Sequence, residues 1–277
     1  MSSHHNSLRW RSGVNLVVIA AALVAITVIT NTYSFNLMLR NFRQSLSSTA
    51  QIYTEQIRGK VDKINSGSLE LVSLAASSQN YYTSSPLGRY LTQQDILTRL
   101  QDRIRYVESS DLYFFYRTDS DELLTALSNR PSTGSSYFWN QYLMLPPTQP
   151  ANTWFSVTCN GETWLMCYYN VSQVRVGAAV RAKTLLQSLY ADTGLVQDSG
   201  FALAGLDGTI VYSSQPDLMA CGTSLAGHIP ASLIVESHTV PEVGTLLLFR
   251  PSSDLLHQLS GSFGWLLLLN LLALALI

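Results

Sequence analysis

The sequence predicts an α+β protein in which a long N-terminal stalk helix precedes antiparallel sheet lobes, with an apolar, membrane-spanning helix on each side. Three observations carry this prediction. Apolar residues recur every three or four positions from Leu39 to Ala75, which indicates one long helix. Later segments alternate in the strand pattern around tight turns such as Asn160-Gly161. Apolar runs lie at both ends of the chain.

The composition excludes one class of partner. The chain has 277 residues, of which 47% are apolar and 13% charged, and its net charge is −1. Proteins that bind nucleic acid neutralise phosphates with clustered Lys and Arg, and the sequence has no such cluster, so nucleic acid is not an expected partner. The three cysteines, Cys159, Cys167 and Cys221, form no CxxC pair, and neither a closed zinc site nor a complete disulfide framework is expected.

We expect the first membrane helix at residues 14–35, after a cytoplasmic N-terminus at residues 1–13. The run VNLVVIAAALVAITVI starts at Val14, and its continuation gives the roughly 20 residues that a spanning helix needs. A cleaved signal peptide is the alternative, but the run is long and no small-x-small site ends it. A long folded segment translocates largely regardless of its charge, so the domain that follows is expected on the extracytoplasmic side.

The second membrane helix is expected at residues 261–277. Its run FGWLLLLNLLALALI starts at Phe263 and reaches Ile277 with no polar flank after it. At about 1.5 Å per residue, this run is shorter than the ~30 Å hydrocarbon core. Such an end is typical of a helix cut within a longer chain, and a short tail anchor is the alternative.

The stalk helix carries one apolar stripe with an average step of 3.6 residues. A coiled-coil dimer seam, which repeats every 3.5 residues, is the alternative interpretation, and both suit a homodimer. The stripe consists of Leu39, Phe42, Leu46, Ala50, Tyr53, Ile57, Val61, Ile64, Ser68, Leu71 and Ala75.

A second helix and two groups of strands are predicted after the stalk. The helix is indicated by Thr92 as a cap and by an apolar face of Ile96, Leu100, Ile104 and Val107. The first group of strands reads DLYFFYRT, ELLTAL, WFSVTC, TWLMCYYNV and QVRVGAAVRA, and a short helix, KTLLQSLYAD, follows it. A smaller group reads GFALAGL, TIVYSS and GTLLLFRP. We place the folded domain at residues 36–260, with a distal lobe at about 77–192 and a small proximal lobe at about 193–250.

Aromatic residues are concentrated in the irregular segment of residues 130–150, which contains Tyr137, Phe138, Trp139 and Tyr142. Long loops in compact domains are often lids or binding loops. Aromatic rings with polar tips suit a small-molecule pocket. The alternative is that these rings only cover the core of the sheet.

The order of these parts resembles the extracytoplasmic Cache domain of bacterial transmembrane receptors over roughly residues 36–260. The resemblance rests on the first membrane helix, the stalk, and the segments NGETWLMCYYNVSQVRVGAAVRAKTLLQSL, GFALAGLDGTIVYSS and GTLLLFRPSSDLL. It implies PAS-like sheets that bind a small extracellular molecule in the distal lobe. It also implies a cytoplasmic output domain beyond this sequence, which in receptors of this two-pass layout favours a sensor histidine kinase.

The resemblance implies candidate ligand-binding residues as well. Trp139 matches the loop Trp that helps to hold the carboxylate in amino-acid-binding members, whereas Tyr137 replaces their Arg and Arg181 replaces their Asp. An α-amino acid would lose both charge partners, so we expect an anionic or sugar-like ligand, with Arg181 as a planar donor fork. The remaining candidates are Tyr142, Phe155 and Tyr168. Alternatively, Arg181 pairs with a surface acid such as Asp192.

Catalytic motifs do not occur in the sequence, which has no HExxH, GxSxG, Gly-rich phosphate loop or paired metal ligands. We therefore expect no enzymatic activity, cofactor or metal in this segment. One candidate function is a receptor that senses a small molecule and signals across the membrane as a homodimer, with a transcription regulator or chemotaxis receptor as variants. The other is a non-signalling, membrane-anchored envelope protein whose domain binds another protein.

Overall fold

The computed structural model confirms the predicted α+β class. It describes residues 3–78, 85–107, 110–128, 151–159, 161–191, 199–226 and 229–253. These residues form a long N-terminal helix, a second helix and two antiparallel sheets. The second predicted membrane helix, at residues 261–277, lies outside the described residues. The predicted lobe boundaries stay predictions.

The first helix, α1, spans Ser3–Ser78 without interruption. Its predicted stripe is buried from Leu46 to Ala75, whereas Leu39 and Phe42 are partly exposed. The helix also contains an 18-residue stretch that is apolar enough to cross a membrane, and only 6% of that stretch is buried. One helix therefore carries both an apolar, exposed segment and a packing stripe.

The second helix, α2, spans Pro86–Tyr106 and begins earlier than predicted. Ser85 is its N-cap, because the Ser85 hydroxyl accepts a hydrogen bond from the Gly88 backbone N–H and Pro86 occupies the first helical position. The prediction of Thr92 as the cap is wrong. The Thr92 hydroxyl lies inside the helix and donates to the Gly88 carbonyl.

The first sheet has five strands in the order β2-β1-β5-β4-β3, all antiparallel. Strands β3 and β4 pair on either side of the predicted turn: Cys159 lies opposite Glu162, and Gly161 has φ +79°. Two short helices follow β5, and Leu185, Leu186 and Leu189 of this segment are buried. The elements are β1 Leu112–Arg117, β2 Glu122–Leu127, β3 Phe155–Cys159, β4 Glu162–Val171, β5 Val174–Arg181, α3 Ala182–Leu185 and α4 Gln187–Ala191.

The second sheet has four strands in the order β7-β6-β9-β8, of which β8 was not predicted. The sequence of β8, LIVESHTV, mixes charged and apolar residues, as an edge strand with one solvated side does. Pro251 is the last residue of β9, and the next two residues, Ser252 and Ser253, are helical. The strands are β6 Gly200–Gly205, β7 Ile210–Ser213, β8 Leu233–Val240 and β9 Gly244–Pro251.

The chain divides into two compact units. The smaller comprises Met1–Leu46, Ala231–Ile234 and Arg250–Ile277. Within it, the Arg250 guanidinium lies 5.5 Å from the centre of the Phe42 ring. The larger comprises Ser47–Pro230 and Val235–Phe249 and contains both sheets almost entirely.

The buried stripe of α1 packs within its own chain. The Tyr113 hydroxyl donates to the Ile64 carbonyl at 3.4 Å, and the Lys60 ammonium donates to the Leu185 carbonyl at 2.9 Å. The Asn65 carboxamide donates to the Glu242 carboxylate at 2.7 Å. These hydrogen bonds are made within one chain, and the same chain buries the stripe residues. The stripe from Leu46 to Ala75 is therefore a packing surface for the domain and not a coiled-coil seam.

Gly67→Ala is expected to destabilise the domain, because an added Cβ would lie 2.5 Å from the Tyr113 hydroxyl oxygen and Tyr113 is fully buried. We expect the free energy of unfolding to fall by about 1–3 kcal/mol, measured by urea unfolding of the detergent-solubilised chain. Gly59→Ala, on the exposed side of the same helix with no atom within 4 Å, is the matched control. It is expected to be neutral or stabilising by up to about 1 kcal/mol. Equal effects of the two changes would contradict the packing of α1 on the sheet.

Candidate functional site

The candidate site lies on one face of the first sheet, which we call the aromatic face. Strand register sets Phe114 of β1, Gly177 of β5 and Tyr168 of β4 side by side on this face. Side chains from all five strands of the sheet lie on this face. Its buried members are Leu112, Phe114, Tyr116, Val157, Trp164, Met166, Tyr168 and Ala179, and Leu123, Leu127, Ala151 and Phe155 pack against them.

Gly177 allows the two aromatic strands beside it to pack closely over β5. A Cβ at this position would lie 2.8 Å from the Tyr168 Cα and 2.9 Å from Cζ of Phe114. Both distances are shorter than real Cβ contacts, so a larger residue would displace the neighbouring strand or the Phe114 ring. The glycine thus gives the aromatic face its shape.

Phe155 and Tyr168 are two of the predicted site residues, and they are in contact on the aromatic face. Their ring centres lie 6.0 Å apart with an interplanar angle of 85°, an edge-to-face arrangement. The Arg175 guanidinium lies 5.9 Å from the centre of the Tyr168 ring. Burial raises the pKa of the Tyr168 hydroxyl, and the charge of Arg175 partly offsets this effect. The hydroxyl is therefore neutral at physiological pH.

Arg181, the predicted donor fork, lies at the end of β5 and pairs with Asp111. Its Nη2 donates to Asp111 Oδ1 at 2.7 Å, its Nε donates to the same oxygen at 3.2 Å, and its backbone N–H donates to Oδ2 at 2.8 Å. The guanidinium also lies 5.7 Å from the centre of the Trp164 ring. Its pKa is raised, chiefly by the hydrogen bond to Asp111.

The acid that pairs with Arg181 differs from the one that the sequence suggested. Asp192 lies outside the described residues, whereas Asp111 is only 4% exposed. The Arg181 side chain is 37% exposed, so the pair joins a buried carboxylate to a guanidinium that reaches solvent. Sequence reasoning missed Asp111, and its position directly before an aromatic strand was the available signal.

The other predicted site residues cannot be placed on this face. Tyr137, Trp139 and Tyr142 lie outside the described residues. Their assignment to the ligand site stays a prediction, and so does the ligand-binding role of Phe155, Tyr168 and Arg181.

A cavity of about 850 Å³ opens beside Arg181, and we call it the inter-sheet cavity because residues of both sheets line it. Lys183 and Thr184 of α3 contribute to its wall, and so do Tyr212 and Ser213 of β7. Its size is within the range of small-molecule pockets. Apart from Arg181, the sequence analysis named none of its residues as candidates, although Lys183 is one of only three lysines in the chain.

Metal-ligating side chains do not gather anywhere in the parts of the chain that the structure describes. His238 lies on β8, and its Nε2 is 3.2 Å from the Ser47 hydroxyl oxygen. Of the free cysteines that the structure describes, Cys167 is buried and Cys221 is exposed. Burial raises the pKa of the Cys167 thiol to about 12. His238 and Cys167 do not line the cavity beside Arg181, whereas Cys221 does.

Asp111→Asn is expected to lower the free energy of unfolding by about 1–3 kcal/mol, because it removes the charge that compensates Arg181 at a site where the carboxylate is buried. Asp95→Asn makes the same chemical change at the exposed Arg99 pair on α2, where both side chains are more than half exposed. That control is expected to change stability by less than about 0.5 kcal/mol. Urea unfolding of both variants is the measurement, and similar values for the two would show that the Asp111 pair has no structural role.

No protein-family model and no curated protein sequence matches the chain, but solved structures do. The periplasmic sensory domain of the Campylobacter jejuni chemoreceptor Tlp1 has a TM-score of 0.53 at 9% identity, covering 78% of this chain and 97% of that one. The sensory domain of C. jejuni Tlp3, with isoleucine bound, has a TM-score of 0.47 at 11% identity, covering 82% and 98%. The ligand-binding domain of the Pseudomonas aeruginosa PAO1 amino-acid chemoreceptor PctC, in complex with GABA, has a TM-score of 0.44 at 14% identity, covering 76% and 99%.

The likeness to the Tlp1 domain concerns the fold. At 9% identity it extends over nearly the whole of that domain and over most of this chain. The chain therefore shares the fold of a periplasmic sensory domain, which agrees with the sensor fold that the sequence resembles. The chain has the α+β fold of a bacterial sensory domain.

Proposed function

We propose that this chain is the extracytoplasmic ligand-sensing and transmembrane signalling portion of a bacterial receptor. A small molecule binds in the lobe formed by the first sheet, and the resulting change passes through the membrane helices of a homodimer to a cytoplasmic output domain, a histidine kinase. The N-terminus is cytoplasmic, the chain crosses the membrane twice, and the segment itself catalyses no reaction.

The observation that carries this proposal is the double role of α1. This helix contains the apolar stretch suited to a membrane and, further along, the stripe that packs in the sensory domain. Tyr113 of β1 and the Leu185 carbonyl of α3 both bond to it directly. A ligand that favours one arrangement of the first sheet thus acts on contacts made by the same helix that enters the membrane.

The aromatic face supplies the proposed ligand site. The Phe155 and Tyr168 rings offer an edge-to-face pair, and Arg181 offers a guanidinium whose orientation Asp111 fixes. We assign Tyr137, Trp139 and Tyr142 to the same site from the resemblance to Cache domains. Arg181, which replaces the acid of amino-acid-binding members, favours a ligand with an anionic group or several hydroxyl groups.

The binding step is tested by thermal unfolding of the full chain in detergent or nanodiscs against small acids, sugars, amino acids and peptides. A ligand that binds only the native state stabilises it by about 2.7 kcal/mol at a hundred times its Kd. Tyr168→Phe, which removes one hydroxyl from the aromatic face, is expected to reduce this stabilisation. Tyr169→Phe, one residue along β4 and therefore on the opposite face, is the matched control and should leave it unchanged.

Two results would contradict the proposed site. One is that no compound in the panel stabilises the chain. The other is that a ligand stabilises it equally in the parent and in the Tyr168→Phe and Arg181→Ala variants.

The signalling step predicts what the gene encodes after the codon for Ile277. We expect the remainder of a second membrane helix, a HAMP-like helix pair and histidine-kinase motifs, because a sensor needs an output domain on the other side of the membrane. Sequencing the gene beyond this codon is the measurement. A stop codon at that point would contradict the receptor and favour an anchored envelope protein that binds another protein.

A further inference from the structure

The inter-sheet cavity presents two cationic side chains. Arg181 and Lys183 both line it, and they are two residues apart where β5 leads into α3. The Lys183 side chain is exposed, and the structure gives it no ion pair with any described residue. Two positive donors that converge on one cavity are the arrangement expected for an anionic group.

Arg181 is prepared for a ligand by its pair with Asp111. Asp111 accepts hydrogen bonds from Nε and Nη2, and within the described part of the chain no bond is recorded for Nη1. The guanidinium is also held near the Trp164 ring, so its plane has a fixed direction before any ligand arrives. A donor that is already oriented loses little conformational entropy when it binds.

Neutral hydrogen-bonding groups surround these cations. Thr163, Thr184, Gln187 and Ser213 contribute hydroxyl groups and one carboxamide to the wall of the cavity. Such groups both donate and accept hydrogen bonds, which suits the hydroxyl groups of a ligand. Glu162 also lines the cavity, and its carboxylate is an acceptor for the same kind of group.

Two tyrosine rings complete the wall. The hydroxyl groups of Tyr190 and Tyr212 are hydrogen-bonded to each other. Both rings pack on Phe201, at centre distances of 4.9 Å for Tyr190 and 6.4 Å for Tyr212. They are therefore held in place, as rings that pack against the apolar C–H surface of a sugar need to be.

The geometry points to the inter-sheet cavity as the binding site for a small hydroxylated carboxylate of the sugar-acid class. Arg181 and Lys183 bind the carboxylate, and the hydroxyl-bearing groups bind the rest of the molecule. This inference rests on the proposed function, because it names the ligand class and the anion-binding part of the sensor. The ligand would contact α3 beside the first sheet and β7 in the second sheet, and so link the two sheets.

The test measures the reactivity of lysine side chains in the full chain reconstituted in nanodiscs, with D-glucuronate as the probe and D-glucose as its uncharged counterpart. Amine acylation followed by mass spectrometry reports on Lys183 in the cavity and on Lys63, an exposed lysine of α1 outside it. We expect glucuronate to slow the acylation of Lys183 while Lys63 is unaffected. Glucose should protect neither lysine.

Variants give a second measurement by calorimetric titration. Lys183→Gln is expected to weaken glucuronate binding about tenfold, as the loss of one charge-assisted hydrogen bond does. Lys63→Gln is the matched control and should leave the affinity unchanged. The Lys183 side chain is exposed, so its replacement is not expected to disturb folding.

The outcomes separate this inference from the function on which it rests. If some ligand stabilises the chain through Tyr168 but glucuronate leaves Lys183 fully reactive, the sugar-acid site is overturned and the sensor stands. If glucuronate protects Lys183 and glucose does not, the sugar-acid site is supported. If glucose protects Lys183 equally, the anion-binding role of the two cations is overturned.

Discussion

The ion pair between Asp111 and Arg181 is the constraint on which the first sheet and its neighbouring cavity depend. A buried carboxylate is costly unless it is paired and hydrogen-bonded. Asp111 meets this condition with three donors from Arg181. Its backbone N–H donates to Ala179 of β5, and its carbonyl accepts from Ser128, the residue after β2. One residue thus ties β1, β2 and β5 together at the point where β5 leads into α3.

This pair changes how Arg181 takes part in recognition. The sequence suggested either a planar donor fork for an anion or a pair with a surface acid such as Asp192. The structure gives one edge of that fork to Asp111, so the charge of Arg181 is largely compensated and its direction is fixed. A second cation is then needed to attract an anion, and Lys183 lies on the same cavity wall. In the proposed site, Asp111 orients Arg181, and Lys183 contributes a second positive charge on a wall that also carries Glu162.

The fold was predictable wherever the signals were local. The Asn-Gly sequence at residues 160–161 predicted that Cys159 lies opposite Glu162, because a two-residue hairpin loop fixes which residues of the two strands pair. The prediction of the apolar stripe on α1 was also correct. Repeats of 3.5 and 3.6 residues differ too little, however, to distinguish a dimer seam from a contact within the domain. Strand β8 was missed because an edge strand keeps polar residues on its solvated side. The Asp111 pair joins residues 70 positions apart, so the aromatic strand after Asp111 could mark this residue as a candidate but could not specify Arg181 as its partner.

The position of α3 connects the inter-sheet cavity to the stalk. Lys183 and Thr184 of this short helix face the cavity, and the next carbonyl, that of Leu185, accepts a hydrogen bond from Lys60 of α1 at 2.9 Å. Half-burial lowers the pKa of Lys60, so this carbonyl and the remaining solvent must stabilise its charge between them. In the proposed sensor, a ligand held by Lys183 and Thr184 acts on α3, whose Leu185 carbonyl bonds to α1. The Leu185 side chain is fully buried, so a displacement of α3 would also act on the residues packed around it.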